Sequence, residues 1–407
     1  MRIAFHVPRA ALLKNAPGGE NHPSGDGMII ANLTEALRKR GHEVKIVSRV
    51  DARDFWQGRL PARRLIAEEA LVRGDIKRFS PDGWLVYFPR IMWPDLFGWW
   101  QRPKRYVILK GGYPGTPQRI AAMPRAWREL FTVAHRQSLK RADRIEAISP
   151  KSVRDLRSQG VPDERICFLP RAIKPWTYVP SRAEARRVLG LPQEAPIVLC
   201  VSRLAPRRME DDPRPSKAES VLDLLHAFRT LPSSALLVLV GDGRARGHVE
   251  EEAVRLNIAG RVHFAGTVEH ADVVWYYAAC DFFACPEKEE GNRPYQSQLE
   301  AQACGRAVVD IRNELSELTV DDGRTGLLAN GLEEFAAHML HLATDRELCD
   351  ELGRAGPDLI ARSFSIEVRA RQIEEMLVEG ENVSLAGVPR AGLEPATNGS
   401  TPDCSTN

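Results

Sequence analysis

Short apolar runs alternate with amphipathic helical stretches along most of this chain, and that alternation restricts the fold more than any other property. Arg2 to Pro8, Glu43 to Val47, Trp84 to Phe88, Tyr106 to Leu109, Arg144 to Ile148 and Arg165 to Leu169 read as strands. The pattern restarts at Ile197 to Val201, Leu236 to Val240, Arg261 to Phe264, Asp281 to Ala284, Ala307 to Asp310 and Gly326 to Ala329. The clearest helix, Met28 to Arg40, sets Ile29, Ile30, Leu33, Ala36 and Leu37 at helical spacing, and Gly41 ends it. Strand and helix in strict alternation predict doubly wound α/β units with parallel sheets.

The 407 residues exceed one core of about 150–200 residues, so two such units are expected. Pro170, Pro175 and Pro180 punctuate the segment between them and mark a linker. The expected division is 1–176 for a first Rossmann-like domain and 177–363 for a second. A helix over 364–380 is expected to pack back on the first domain. Residues 381–407 lack periodicity and are rich in Gly, Pro, Ser, Thr and Asn, which predicts a disordered tail. Ligands of paired Rossmann-like domains sit in the crevice at the carboxyl ends of the strands.

With 43% hydrophobic and 27% charged residues, the composition is that of a soluble globular protein. A net charge of +3 gives no argument for nucleic acid as a partner. Basic residues gather in Arg102 to Arg105, Arg182 to Arg187 and Arg203 to Arg214, which suits phosphate ligands or an anionic membrane surface. For Arg182 to Arg187 a solvated helix face is the expectation. The seven scattered cysteines form neither a CxxC pair nor a His/Cys cluster, so reduced thiols and a cytoplasmic setting are expected, without zinc. No secretory signal and no apolar run long enough to span a membrane are read.

The stretch from Asp281 to Val309 carries the most chemistry. A strand leads through a polar loop with carboxylates into a helix bearing Glu300, and Cys304-Gly305 closes that helix before the next strand. Such a place can hold a phosphate-bearing ligand at the helix start, with the glutamate gripping hydroxyls of an attached ribose or sugar. It also fits an ordinary crossover with a charged loop, and these residues alone leave both readings open. Gly241-Asp242-Gly243 with Gly247 hints at a dinucleotide fingerprint, but it follows the second strand of its unit, which argues against a nicotinamide site. His338 and His341 read as a solvated helix face, with no third metal ligand in view.

Several segments, in order, resemble retaining glycosyltransferases of family 4 on the two-domain GT-B fold. Gly25 and Gly27 before a helix ending in Arg40-Gly41-His42-Glu43-Val44 resemble the family's glycine loop and following turn. Ala142-Asp143-Arg144-Ile145 with Ile148-Ser149 resembles its segment near the end of the first domain. Val201-Ser202-Arg203-Leu204, Val240-Gly241-Asp242-Gly243 and Val262 to Val268 resemble motifs of its donor domain. So do Glu290-Gly291-Asn292 with Leu299 to Gly305, and Asp322 to Leu328. The resemblance covers residues 1 to about 379 and is strongest over 197–330.

It implies transfer of a sugar from a nucleotide-sugar donor with retention of configuration. The acceptor class it implies is broad: a glycan, a lipid-linked saccharide or a small molecule. No metal cofactor is implied, in keeping with the lack of a DxD motif. Departure of the nucleoside diphosphate leaves negative charge that Arg203 and Lys217, or Arg207 or Arg208 in place of the lysine, would neutralise. Gly25 and Gly27 would let backbone amides approach phosphate or sugar. Glu300 would hold the donor ribose, with Leu299 beside it. Glu290 or Asn292, with amides near Gly291 and Arg293, would face the sugar, and the main chain at Val268 would meet the base. Glu290 and Glu300 stand two residues further apart than the family's paired glutamates, so Asn292 falls where the first is expected. No histidine lies near Lys110-Gly111-Gly112-Tyr113, where family members often carry one. These departures motivate a competing reading, a degenerate member that binds nucleotide or glycan without turnover.

Trp84, Trp93, Trp99 and Trp100, with Tyr87, Phe88 and Phe97, precede the basic run at Arg102. Tryptophan beside arginine suits peripheral contact with the inner membrane face, and aromatic faces also stack on sugars. Packing under a long loop is the third reading, and the residues leave all three open.

Overall fold

The structure, a computed structural model, describes residues 1–9, 25–48, 51–101, 103–112, 115, 117–205, 217–286 and 296–378. Two six-stranded parallel sheets organise them. The first contains β1 (Arg2–His6), β2 (Glu43–Ile46), β3 (Gly83–Tyr87), β4 (Tyr106–Leu109), β5 (Arg144–Ala147) and β6 (Ile166–Phe168), in the order β2-β1-β3-β4-β5-β6. The second contains β7 (Ile197–Val201), β8 (Leu236–Val240), β9 (Val262–Gly266), β10 (Phe282–Ala284), β11 (Ala307–Ile311) and β12 (Gly326–Ala329), in the order β12-β11-β10-β7-β8-β9. In each the chain starts inside the sheet and winds outward both ways, which leaves a crevice between β1 and β3 and another between β7 and β10.

The strands earn these places by being apolar on both faces. Gly83 to Tyr87 and Tyr106 to Leu109 are buried at every position, and helices cover both sides of each sheet. In the second sheet Val198 registers with Phe282 on one side and Leu237 on the other, so the middle of the core is continuous apolar packing. All six described cysteines are buried and free.

Two departures from the sequence reading bear on the site. The first helix runs Gly25–Lys39, so Gly25 and Gly27 form its opening turn instead of a loop before it. Residues 84–97 are interior: Trp84, Tyr87, Phe88, Trp93 and Phe97 are all buried. Fully buried Asp95 explains much of this, because it accepts from Trp84 Nε1 at 2.9 Å, Tyr106 Oη at 2.8 Å and the Phe97 and Gly98 amides. A tryptophan indole sealed against a carboxylate cannot face lipid, so for these rings the membrane-facing reading is corrected to core packing. The side chains of Trp99 and Trp100, and Arg102, lie outside the described residues. Among the described residues no helix is long and apolar enough to cross a membrane.

A third correction concerns Arg182 to Arg187. Arg186 is 1% exposed, bonding Asp281 at 2.7 Å and the Ala279 carbonyl at 2.9 Å, so this arginine is a buried brace, while Arg187 on the same helix is exposed as expected. Asp281 also accepts from the Ile197 amide at 2.7 Å and so anchors the start of β7.

The units are tied at the linker. The Ile173 amide donates to the Phe364 carbonyl and the Ile366 amide to the Ile173 carbonyl, both at 2.8 Å. The helix Ile366–Val378 then lies on the first unit, burying Ala370, Ile373, Met376 and Leu377 with Ile3 and Leu37. A Cβ on Gly83 would stand 2.6 Å from Leu377, which shows how closely that helix approaches β3. Across the other rim Arg154 grips Glu314 with two bonds of 2.8 and 3.0 Å, and Leu315 and Leu318 join the first unit's core. Because the Pro150–Ser158 helix follows β5 and Glu314 follows β11, these contacts set the carboxyl edges of the two sheets facing each other.

Candidate active site

On the second unit, the loops leaving β7, β8 and β9 are laced together through their main chains. The Ser202 amide reaches the Val240 carbonyl at 2.9 Å, the Leu204 amide reaches Asp242 at 3.1 Å, and the Gly241 amide reaches Gly266 at 2.8 Å. Only glycine permits this approach. At Gly241, with φ +124°, an added Cβ would lie 2.1 Å from the Ser202 carbonyl oxygen, and at Gly243 it would lie 2.2 Å from that of Leu204. The Gly-Asp-Gly turn therefore fixes the backbone on which Arg203 stands.

Arg203 itself is exposed at the end of β7 and makes no ion pair among the described residues. Lys217, half-buried, opens the helix Lys217–Phe228, and the next amide, Ala218, donates to the Ala205 carbonyl at 3.3 Å. The structure thus brings Arg203 and Lys217 to the same rim. Arg207 and Arg208 lie outside the described residues, as do Glu290, Gly291, Asn292 and Arg293.

Glu300 sits in the helix Gln296–Ala303 with only 5% of its surface exposed. Tyr277 Oη donates to one oxygen at 3.0 Å, while Gln296 Nε2 at 2.7 Å and His270 Nε2 at 2.9 Å meet the other. Burial, first, and the facing Glu300 carboxylate push the Tyr277 hydroxyl well above its ordinary value, so it stays a proton donor. Trp176, from the linker, stacks on His270 with ring centres 5.4 Å apart and a 21° tilt. Val268 lies two residues before His270, half-buried against the core of the second unit, so its main chain shares that rim. Leu299 is fully buried among Ile173, Ile360 and Phe364, which leaves only its backbone for any ligand. His270, Trp176 and Tyr277 were not legible as site residues. The signals are positional and cover two of the three, His270 near Val268 and Trp176 within the proline-punctuated linker.

Facing these across the cleft, the first unit presents the opening turn of Gly25–Lys39, with Gly27 buried. Asp26 in that turn accepts from Lys110 Nζ at 2.5 Å and Tyr87 Oη at 3.1 Å, and Arg171 approaches it to 3.7 Å. Lys110 exits β4 in a left-handed conformation, φ +55°, at the place where the family resemblance leads one to look for histidine. Its amide bonds Glu146 at 2.6 Å, and Glu146 is in turn paired with buried Arg369 at 2.5 Å. Burial drives the Glu146 carboxyl upward, opposed by Arg369 and Lys110. His338 and His341 each face a carboxylate on or next to their own helix, Glu334 at 3.6 Å and Asp345 at 3.9 Å. Among the described residues no group of three or more His, Cys, Asp or Glu could hold a metal ion.

Two family models match. "Glycosyltransferase Family 4" aligns with residues 23–176 and "Glycosyl transferases group 1" with residues 195–345. A GDP-mannose-dependent monoacylated alpha-(1-6)-phosphatidylinositol monomannoside mannosyltransferase of Corynebacterium glutamicum is 26% identical over 60% of this chain and 65% of its own length. A lipopolysaccharide core biosynthesis glycosyltransferase of Rhizobium meliloti is 30% identical over 45% of this chain and 49% of its own. The chain thus spans from about half to just under two thirds of the length of these curated relatives. In three dimensions it resembles a sucrose-phosphate synthase of Thermosynechococcus elongatus, with a TM-score of 0.65 at 19% identity over 92% of this chain and 98% of the other. It also resembles Anabaena HepE in complex with UDP-glucose, with a TM-score of 0.63 at 18% identity over 93% and 99%. At these identities the two structures speak for the fold, which is GT-B.

Proposed function

Since the chain belongs to the group 1 glycosyl transferases of glycosyltransferase family 4, we propose that it transfers a sugar from a nucleotide-sugar donor to a glycan, lipid-linked saccharide or small-molecule acceptor. Retention of anomeric configuration and independence from metal are part of the proposal. The observation that carries it is the convergence of Arg203, Lys217, Val268 and Glu300 on the carboxyl edge of the second sheet, around the crevice between β7 and β10. The relative that uses GDP-mannose and the neighbour that holds UDP-glucose support the donor class.

In the reaction the bond between the anomeric carbon and the diphosphate oxygen breaks, and the electron pair leaves with the diphosphate. A new bond forms from the anomeric carbon to the acceptor oxygen, whose proton passes to the departing phosphate. Arg203, exposed and following a turn fixed by close backbone contacts, would take a phosphate by its forked guanidinium, and the Lys217 ammonium at the start of its helix would add a second positive charge. Charge stabilisation by groups fixed before the reaction is the main source of rate in such a transfer. Glu300 would accept the ribose hydroxyls, which then take the place of its more exposed partner His270, 36% accessible, while the Tyr277 bond stays. Gly27 brings main-chain amides of the first helix to the opposite side of the sugar, Gly25 contributing to the same turn.

The test is a panel of UDP-, GDP- and ADP-sugars incubated with the full chain, with and without acceptors, reading nucleotide release. Release above the uncatalysed rate is expected for one donor, and Arg203→Ala should lower turnover by about 10²–10³, the scale for removing one charge-stabilising donor. Nucleotide binding with no release from any donor would sink the reading.

A further inference from the structure

Glu300 is furnished with donors before any ligand arrives. An ionised carboxylate offers about four lone-pair positions, two on each oxygen. Among the described residues Tyr277 fills one on the first oxygen, at 3.0 Å, while Gln296 at 2.7 Å and His270 at 2.9 Å fill both on the second. One hydroxyl can therefore join the carboxylate with nothing displaced. A vicinal pair, one hydroxyl to each oxygen, cannot, and one of the present donors then has to leave.

The geometry selects His270. Tyr277 is fully buried, and Gln296 stands one helical turn before Glu300 on the same helix, which keeps its amide within reach. His270 comes from the turn between β9 and the helix Val273–Ala279, with 36% of its side chain in solvent. What holds it is Trp176. The indole stacks on the imidazole with ring centres 5.4 Å apart and lies 5.6 Å from the Tyr277 ring as well. Trp176 is half-buried against the second unit's core and stands three residues after Ile173. The two main-chain bonds of Ile173 tie the linker to the returning chain at Phe364 and Ile366.

We propose that His270 is a placeholder in the ribose site, pinned there by Trp176, and that a nucleotide is held by both ribose hydroxyls only once this histidine has been turned out. The proposal rests on the reading of Glu300 as the ribose contact. It makes His270 and Trp176 positioning residues with two effects. In the empty cleft they keep a buried carboxylate supplied with hydrogen bonds, which burial demands. When ribose is seated, the indole loses its stacking partner, so occupancy of the nucleotide site is felt in the linker where the two units are joined.

Calorimetric titration of the full chain with UDP and GDP, and with their 2′-deoxy forms, separates two hydroxyls from one. His270→Ala is expected to bind the ribonucleotide about three- to tenfold more tightly than the wild-type chain does, the scale of one net hydrogen bond no longer broken. The 2′-deoxy form should bind both proteins alike, which also reports an intact fold. Trp176→Leu, which removes the stack and leaves the histidine, should give a smaller gain in the same direction. Tryptophan emission supplies a second readout: the ribonucleotide should change it more than the 2′-deoxy form does, and the excess should vanish in Trp176→Leu. If His270→Ala prefers the ribonucleotide yet binds it no more tightly than the wild-type chain, the placeholder is overturned while Glu300 keeps its ribose. Equal affinity of His270→Ala for the two forms, or no binding of either, fails the ribose reading itself.

Discussion

Replacing Gly241 by alanine should damage nucleotide binding and stability together. The new Cβ would stand 2.1 Å from the Ser202 carbonyl oxygen and 2.9 Å from its carbon, both backbone atoms that no rotamer change can move aside. The residue would also have to hold φ +124°, a conformation that costs a side-chain-bearing residue about 1–3 kcal/mol. Relief requires the β7 and β8 loops to part, and the Ser202–Val240 and Leu204–Asp242 bonds then lengthen, at about 1 kcal/mol each. The sum is about 3–5 kcal/mol, or a fall of about 6–20 °C in melting for a unit of this size. Gly247→Ala is the control. It lies in the helix Arg246–Arg255 with no atom within 4 Å of a new Cβ, so it should be neutral or gain up to about 1 kcal/mol. Urea unfolding measures the energies, and GDP and UDP titrations report whether Arg203 has moved. If the two variants unfold within about 1 kcal/mol of each other, the Gly-Asp-Gly turn does not set the backbone under Arg203.

Other outcomes follow from the same geometry. Burial lowers the pKa of His135 to about 4, against a bond to the Gln159 amide oxygen that raises it, so the unfolded chain takes up a proton between pH 6.5 and 4 that the folded chain refuses. Stability is therefore lost as pH falls through that window, by about 2.5 kcal/mol at pH 4.5, and His135→Gln should abolish that component in urea titrations at pH 7.5 and 4.5. Arg369→Met leaves Glu146 buried and unpaired and should cost about 3–5 kcal/mol, with most of it restored by adding Glu146→Gln; no recovery in the double variant would refute the pairing. Glu300→Ala should weaken GDP or UDP by about 10- to 100-fold, from loss of charged hydrogen bonds, and leave 2′,3′-dideoxy analogues little affected. An equal loss for both kinds of nucleotide would remove the ribose contact.

The fold was legible because buried parallel strands write themselves as apolar runs, and each predicted strand has its counterpart within two residues at either end. The helix start was misjudged. Gly25 and Gly27 argue for a loop by propensity, yet in the opening turn their amides need no partners within the helix, so glycine costs little there. Arg186 shows the opposite failure, since a charged residue looks exposed in sequence until its distant carboxylate, Asp281, is seen beside it, and the choice among the three readings left open for the tryptophans likewise waited for Asp95. His270 and Trp176 escaped notice for the same reason, since their meeting with Glu300 joins residues far apart in the chain.

The return of the last helix to the first sheet has a practical consequence. Cutting the chain in the proline-punctuated segment does not yield two complete bodies, because the amino-terminal piece would lose Ala370, Ile373, Met376 and Leu377 from its interior and expose Ile3 and Leu37. An excised amino-terminal lobe should therefore be insoluble unless residues 365–378 are grafted onto it, and gene fusions or split reporters built on this protein must keep both chain crossings intact.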